Sequence, residues 1–207
     1  MPNDLAGTVV HDHFVSYYTK LDEAIHALCN AHHLRELKAV DEIDKEPWAK
    51  NMIRLLRLGC HFVTEKRQDI NDKWLKRFEA LYHKIIRDGL DYHENLDPLK
   101  KPSRGKTKRR PGHNLLLRLC NRADDVLRFL YNPEVPFTNN LSEQSLRMIK
   151  VKQKISGCFR TIGGVKRFLT IRSYTATAKK QGLNIINSLI CTFSGPPIDL
   201  LGAMVPK

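Results

Sequence analysis

The sequence has no apolar run near the roughly 18 residues that a membrane-spanning helix needs. Asp4 interrupts the first ten residues, where a secretory signal would be apolar. Only 11 Gly and 10 Pro occur among 207 residues, which excludes collagen-like and low-complexity chains. The five cysteines are scattered and odd in number, so they do not indicate a disulfide framework. These absences predict a soluble cytoplasmic protein with no membrane partner.

Acidic residues are scarce in the second half of the chain. Residues 1–99 carry 14 Lys and Arg against 17 Asp and Glu, whereas residues 100–207 carry 21 against 5. Between Glu143 and Asp199 there is no acidic residue, although ten Lys or Arg lie there. This distribution indicates a positive surface that fits a nucleic-acid backbone. The composition by itself is equally compatible with a basic surface that only aids solubility.

The hydrophobic pattern predicts a mostly helical chain with little β-structure. Residues 7–11 are a β-branched run typical of a strand, and apolar residues at helical spacing follow at 14–21. The pattern at 25–29 fits either a strand or a helix. Amphipathic helices at 48–63 and 70–86, joined by a short polar connection, indicate an antiparallel hairpin. Further helices are predicted at 31–43, 114–131, 140–152, 164–180 and 183–193, with a basic loop at about 98–112.

Two acidic residues lie at positions where either a structural or a chemical role is possible. Asn140 and Glu143 have the spacing of a helix N-cap and its reciprocal carboxylate. The competing interpretation is that Glu143 binds a divalent cation beside phosphate-binding Arg147, Lys150, Lys152 and Lys154. Asp12 follows a strand, where an aspartate forms a turn or serves an α/β active site.

A cluster of His26, Cys29, His32 and His33 has some of the residue types of a zinc site. No second pair of ligands follows at metal-ligand spacing, so a structural zinc site is not favoured. His32 is better interpreted as a buried hydrogen-bonded residue or as a neighbour of the carboxylates. No nucleophile signature and no glycine-rich phosphate loop are visible.

Three stretches resemble the transposases of the insertion sequence 66 family. They are residues 26–37 (HALCNAHHLREL), residues 136–160 (PFTNNLSEQSLRMIKVKQKISGCFR) and residues 174–184 (YTATAKKQGLN). With residues 7–12 (GTVVHD), the resemblance covers nearly the whole chain. It implies DNA transposition, with transposon-end DNA as the partner and a bacterial, nucleoid-associated location.

The resemblance also implies a fold and a set of site residues. The fold would be the C-terminal part of a ribonuclease-H-like α/β domain that carries a helical insertion. Residues 1–30 would be a remnant of the catalytic sheet, 31–131 the insertion, and 132–207 the C-terminal helices. In the family an Asp, Asp, Glu triad binds two divalent metals, Mg²⁺ or Mn²⁺. Asp12 matches the second Asp and Glu143 the Glu, His32 is a catalytic neighbour, and the DNA contacts would be Arg147, Lys150, Lys152, Lys154, Arg160 and Arg167.

The family's first Asp has no match here, since only eleven residues precede Asp12. We therefore expect metal binding and strand transfer to be weak unless the missing carboxylate is supplied by a complementing transposase fragment. A homo-oligomer is a further possible assembly. The alternatives are a non-catalytic DNA-binding protein and a protein that pairs with a transposase subunit.

Overall fold

A computed structural model describes residues 7–97, 99 and 109–195. It is mostly helical with a small two-stranded parallel sheet, as the sequence predicted. The elements in chain order are β1 (Thr8–His11), α1 (Val15–Lys20), β2 (Ile25–Leu28), α2 (Asn30–Ala39), α3 (Pro47–Glu65), α4 (Asp72–Glu94), α5 (Pro111–Asn121), α6 (Ala123–Tyr131), α7 (Asn140–Ser156), α8 (Ile162–Lys180) and α9 (Ile185–Ser194).

The chain divides into two compact units, residues 1–139 and 140–207. Among the described residues, no helix is both long and apolar enough to cross a bilayer. Residues 98 and 100–108 of the predicted basic loop lie outside the described residues.

The first unit contains the sheet. β1 and β2 pair in parallel with Thr8 opposite Ile25 and His11 opposite Leu28. This pairing resolves the ambiguity at residues 25–29 in favour of a strand, because the backbone groups of β2 are satisfied by β1 and not within a helical turn.

The predicted hairpin is confirmed by α3 and α4, which are joined through a short 3₁₀ turn at Arg67–Asp69. α3 begins at Pro47, whose missing N–H costs nothing in a first turn. α4 is capped by Asn71, whose side chain accepts from the Trp74 N–H at 3.0 Å. Their buried faces join α5 and α6 in one core, in which Tyr82 is fully buried and its hydroxyl donates to the Leu119 carbonyl at 2.9 Å.

The single helix predicted at 114–131 is wrong. α5 ends at Asn121 and α6 begins at Ala123, because Arg122 leaves helical geometry with φ −124° and ψ 30°. The Arg122 guanidinium lies 4.0 Å from the centre of the Tyr18 ring, a cation–π contact that holds this break against α1.

The second unit contains α7 and a hairpin of α8 and α9. Gly182 has φ +73° after the end of α8, the left-handed geometry in which glycine commonly ends a helix. The Tyr174 hydroxyl of α8 donates to the Ser188 carbonyl of α9 at 3.0 Å, which joins the two helices.

Candidate functional site

Asp12 lies at the carboxyl end of β1. Its side chain is exposed, and Oδ1 accepts from the Phe14 N–H at 3.3 Å. The next residue, His13, has φ +68°, so the chain turns sharply here before α1. The Asp12 carboxylate thus stabilises a turn and is also exposed to solvent. Its role in the turn does not exclude a role in binding a cation.

The strand end below Asp12 is held by a contact between the buried His11 and the partly buried His26. His11 is 2% exposed, and its Nε2 lies 3.1 Å from Nδ1 of His26. Because His11 Nδ1 accepts from the His13 N–H at 3.2 Å, the imidazole proton belongs on Nε2, which donates to His26. Burial, followed by the neighbouring His26, lowers the pKa of His11 to about 4, so the ring is neutral at physiological pH.

The histidine pair was missed by sequence reasoning. His11 is the last residue of a β-branched strand, and that position is the signal that could have predicted its burial.

At the start of α2, the side chains of Cys29 and His33 in the His/Cys cluster take part in hydrogen bonds. Cys29 is buried, and its Sγ accepts from the Asn139 N–H at 3.3 Å. The His33 ring bonds Asn30 Oδ1 at 3.2 Å, while the Asn30 amide donates to the Val126 carbonyl at 2.9 Å. In the part of the chain that the structure describes, no three His, Cys, Asp or Glu side chains are grouped so as to hold a metal.

His32 lies in the first turn of α2 and is partly buried. Its backbone N–H donates to the Cys29 carbonyl at 3.1 Å. This places it on the same connection that leads out of β2.

His33 provides a pH test of this region. It is 2% exposed, and burial, with a smaller effect of Arg118, lowers its pKa to about 3. Above about pH 6.5 the His33 ring is neutral in both the folded and the unfolded chain. Below that pH only the unfolded chain binds the proton, so the free energy of unfolding decreases as the pH is lowered. Lowering the pH from 7 to 5 should therefore reduce the free energy of unfolding by about 2 kcal/mol through His33.

The measurement is urea unfolding of the parent and of His33→Gln at both pH values. The Gln amide can still donate to Asn30 but does not titrate, so the variant should lose about 2 kcal/mol less than the parent between pH 7 and pH 5. An equal loss in both proteins would contradict a neutral buried His33.

The chain leaves the first unit beside the end of the sheet. The Asn30 N–H donates to the Phe137 carbonyl at 3.0 Å, and Asn139 contacts Cys29 as described above. The Cys29 N–H in turn donates to the His11 carbonyl at 2.8 Å. A chain of contacts therefore connects the residue before Asp12 with the residue before α7, a link that no local sequence pattern revealed.

α7 arranges its charged side chains on two sides. Glu143 is exposed in the first turn, and Arg147, Lys150 and Lys154 follow at the spacing that recurs on one face of an α-helix. Lys152 lies on the opposite face by the same geometry. One acid and three bases thus form a stripe, which is named the α7 stripe below.

Arg160 and Arg167 lie beyond α7. Arg160 is exposed in the connection to α8, and Arg167 is exposed in the second turn of α8. The rings of their neighbours Phe159 and Phe168 lie 5.3 Å apart, which packs the connection onto the helix.

The donor chemistry fits a hard divalent cation. Asp12 and Glu143 offer carboxylate oxygens, which Mg²⁺ prefers, and Asp12 is accessible at a strand end. The two belong to different units, and each alone is an incomplete set of ligands.

Comparison with known proteins gives two findings. The family model described as "Transposase IS66 family" matches residues 2–167. A protein of Sinorhizobium fredii, described only as uncharacterized protein y4jO, is 39% identical over 70 residues, which are 34% of this chain and 22% of the relative. The chain thus matches about a fifth of that relative's length. No solved structure gives a significant match.

Proposed function

This chain belongs to the IS66 family of transposases, and from that membership we propose that it acts in metal-dependent cleavage and strand transfer of DNA. We propose further that its fold is part of a ribonuclease-H-like catalytic domain, with residues 1–30 in the sheet, residues 31–131 as a helical insertion and residues 132–207 as the C-terminal helices. The parallel pairing of β1 and β2, with an acidic residue directly after β1, supports this proposal.

The observation that carries the catalytic proposal is the set of contacts around Cys29. They anchor Asn139, the residue before α7, to the strand end that carries Asp12. Glu143 is four residues beyond that anchor along the chain. We propose that Asp12 and Glu143 serve the same divalent cation, with His32 as a neighbour and with a further carboxylate from a complementing transposase fragment.

The chain's own residues would bind and position the DNA. The α7 stripe places Arg147, Lys150 and Lys154 in line with Glu143, so that phosphates bound by the cations lie along the face that carries the acid. Arg160 and Arg167 extend this positive surface. The neutral His11 ring, hydrogen-bonded to His26, holds the strand end without adding its own charge beside Asp12.

A bound Mg²⁺ or Mn²⁺ would polarise a phosphate oxygen and lower the pKa of an attacking water. The carboxylates hold that ion, and the cations fix the DNA strand in register with it. We propose that the 207 residues alone have little strand-transfer activity, since Asp12 and Glu143 supply only part of the acidic set that the family uses.

The DNA interface is tested by comparing Lys150→Gln with Lys152→Gln. Both changes remove one positive charge from α7, but only Lys150 lies on the α7 stripe. Loss of one phosphate contact should weaken binding of a 30-base-pair duplex roughly 5- to 10-fold near 0.1 M salt and lower the salt slope by about one. Lys152, which the family resemblance also implies as a DNA contact, lies on the opposite face of α7, so we expect Lys152→Gln to bind as the parent does.

Equal weakening by the two substitutions would show that only net charge matters, and the α7 stripe would not be the interface. Filter binding across a salt series separates these outcomes.

A further inference from the structure

A groove on the helical hairpin lies outside every site described so far. It runs between α3 and α4, has a volume of about 470 Å³, and is lined by Asn51, Arg54, Leu58, Leu81, Lys84 and Asp88 among others. This is called the α3–α4 groove. It lies within residues 31–131, whereas the proposed DNA contacts at 147–167 lie in the second unit.

The groove is basic although its half of the sequence is not. Arg54 and Lys84 line it from opposite helices, and both are exposed. Arg77 lies on α4 one turn before Leu81 and is also exposed. Within the described residues none of these three cations forms an ion pair, while Asp88 is the acidic residue of the lining.

Packing of the hairpin does not account for these cations. The buried faces of α3 and α4 point to the core through residues such as Met52, Leu56, Tyr82 and Ile86. The groove floor is formed by Leu58 and Leu81, which are 45% and 46% exposed. Arginine and lysine stems can cover such leucines while their charged ends remain in water. The groove is therefore an open surface with a basic rim.

The spacing of the charges favours an extended polyanion over a single anionic group. Arg77 and Lys84 lie about 10 Å apart along α4, and Arg54 lines the groove from α3. Cations spread over this length match a line of phosphates, since duplex DNA carries one charge per about 1.7 Å of its axis. An acidic peptide would need only a local cluster of cations and polar partners for its backbone.

We propose that the α3–α4 groove binds the sugar-phosphate backbone of duplex DNA. The inference rests on the proposed function, because it uses the same substrate, and it adds a second contact surface on a different part of the chain. Contacts to phosphates position DNA without reading its sequence. The groove would thus hold DNA in register while the α7 stripe contacts another stretch.

The test compares two double variants of the full chain with equal loss of charge. Arg54→Gln with Lys84→Gln removes two cations of the groove. Lys76→Gln with Arg87→Gln removes two exposed cations on another stripe of α4. The probe is a 30-base-pair duplex of random sequence, titrated at salt concentrations from 50 to 200 mM, with thermal melting as the folding control.

The groove variant should lose about tenfold or more in affinity near 0.1 M salt, and its salt slope should fall by about two. The control variant should match the parent. If the two double variants bind the duplex equally, the proposed DNA-binding groove is overturned. Polyglutamate is titrated against the same variants, and if the groove variant loses only polyglutamate binding, the surface is assigned to an acidic peptide.

Lys150→Gln is measured in parallel to separate this inference from the proposed function. If only Lys150→Gln weakens binding, the groove fails and the α7 stripe stands. If only the groove variant weakens binding, the α7 interface fails and the groove stands.

Discussion

Glu143→Gln is expected to reduce Mg²⁺-dependent DNA cleavage by about 10³-fold, measured with the chain supplemented by a transposase segment that supplies the remaining carboxylate. The amide keeps the size of the side chain but has no negative charge for a cation. Loss of a metal ligand removes several kcal/mol of charge stabilisation, which corresponds to a rate loss of this size. Asp12→Asn should have the same effect.

The matched control is Glu134→Gln. Glu134 is exposed in the connection before α7 and has no place in the proposed site. The Glu134→Gln variant should cleave DNA as the parent does. If Glu143→Gln also cleaves as the parent does, Glu143 is a helix-capping acid and not a catalytic one.

The same variants separate an enzyme from a DNA-binding protein without catalysis. If the protein is an enzyme, its DNA affinity should rise with Mg²⁺, and Asp12→Asn should abolish that rise. If it is a non-catalytic DNA-binding protein, neither Mg²⁺ nor Asp12→Asn should change the salt dependence of DNA binding.

Gly112→Ala should destabilise the first unit by about 3 kcal/mol, measured as a shift of the urea unfolding midpoint. An added Cβ would lie 2.7 Å from Cδ of Glu46 and nearer still to its Oε2. Glu46 is 2% exposed, and its Oε2 accepts from Trp48 Nε1 at 2.6 Å. Moving the carboxylate leaves a buried polar group without this bond and strains a packed site, each at about 1–3 kcal/mol.

The sign of this effect is diagnostic. Gly112 lies in α5, where helix propensity alone predicts that alanine stabilises the protein by about 0.5–1 kcal/mol. In a double-mutant cycle, Glu46→Ala should remove most of the penalty of Gly112→Ala, because the clash disappears with the carboxylate. Additive effects of the two changes would contradict a direct contact.

The Glu46 site also shows what a local pattern cannot reveal. Nε2 of His93 lies 3.1 Å from Oε2 of Glu46, and the His93 ring stacks on His113 at 4.8 Å. These residues come from the ends of α3, α4 and α5. Burial raises the pKa of Glu46 and lowers that of His93, so packing sets the charge of both groups.

The helices were predictable where neighbours in sequence decide the structure. α3 and α4 have apolar residues at helical spacing, and their polar faces need no partner to remain in water. The break at Arg122 was not predictable, since the periodicity runs through it. Arg122 at this break contacts Tyr18, which is distant in sequence.

The helical content, the strand before Asp12, the basic second half and the transposase family could all be predicted from the amino-acid sequence. These properties depend on local periodicity, composition and short motifs. Three features became visible through packing alone: the parallel register of β1 and β2, the link through Cys29 between the residues preceding Asp12 and α7, and the groove that Arg54 and Lys84 share. Each of these depends on which elements pack together, because contacts between distant segments form only when burial of their apolar faces brings them side by side.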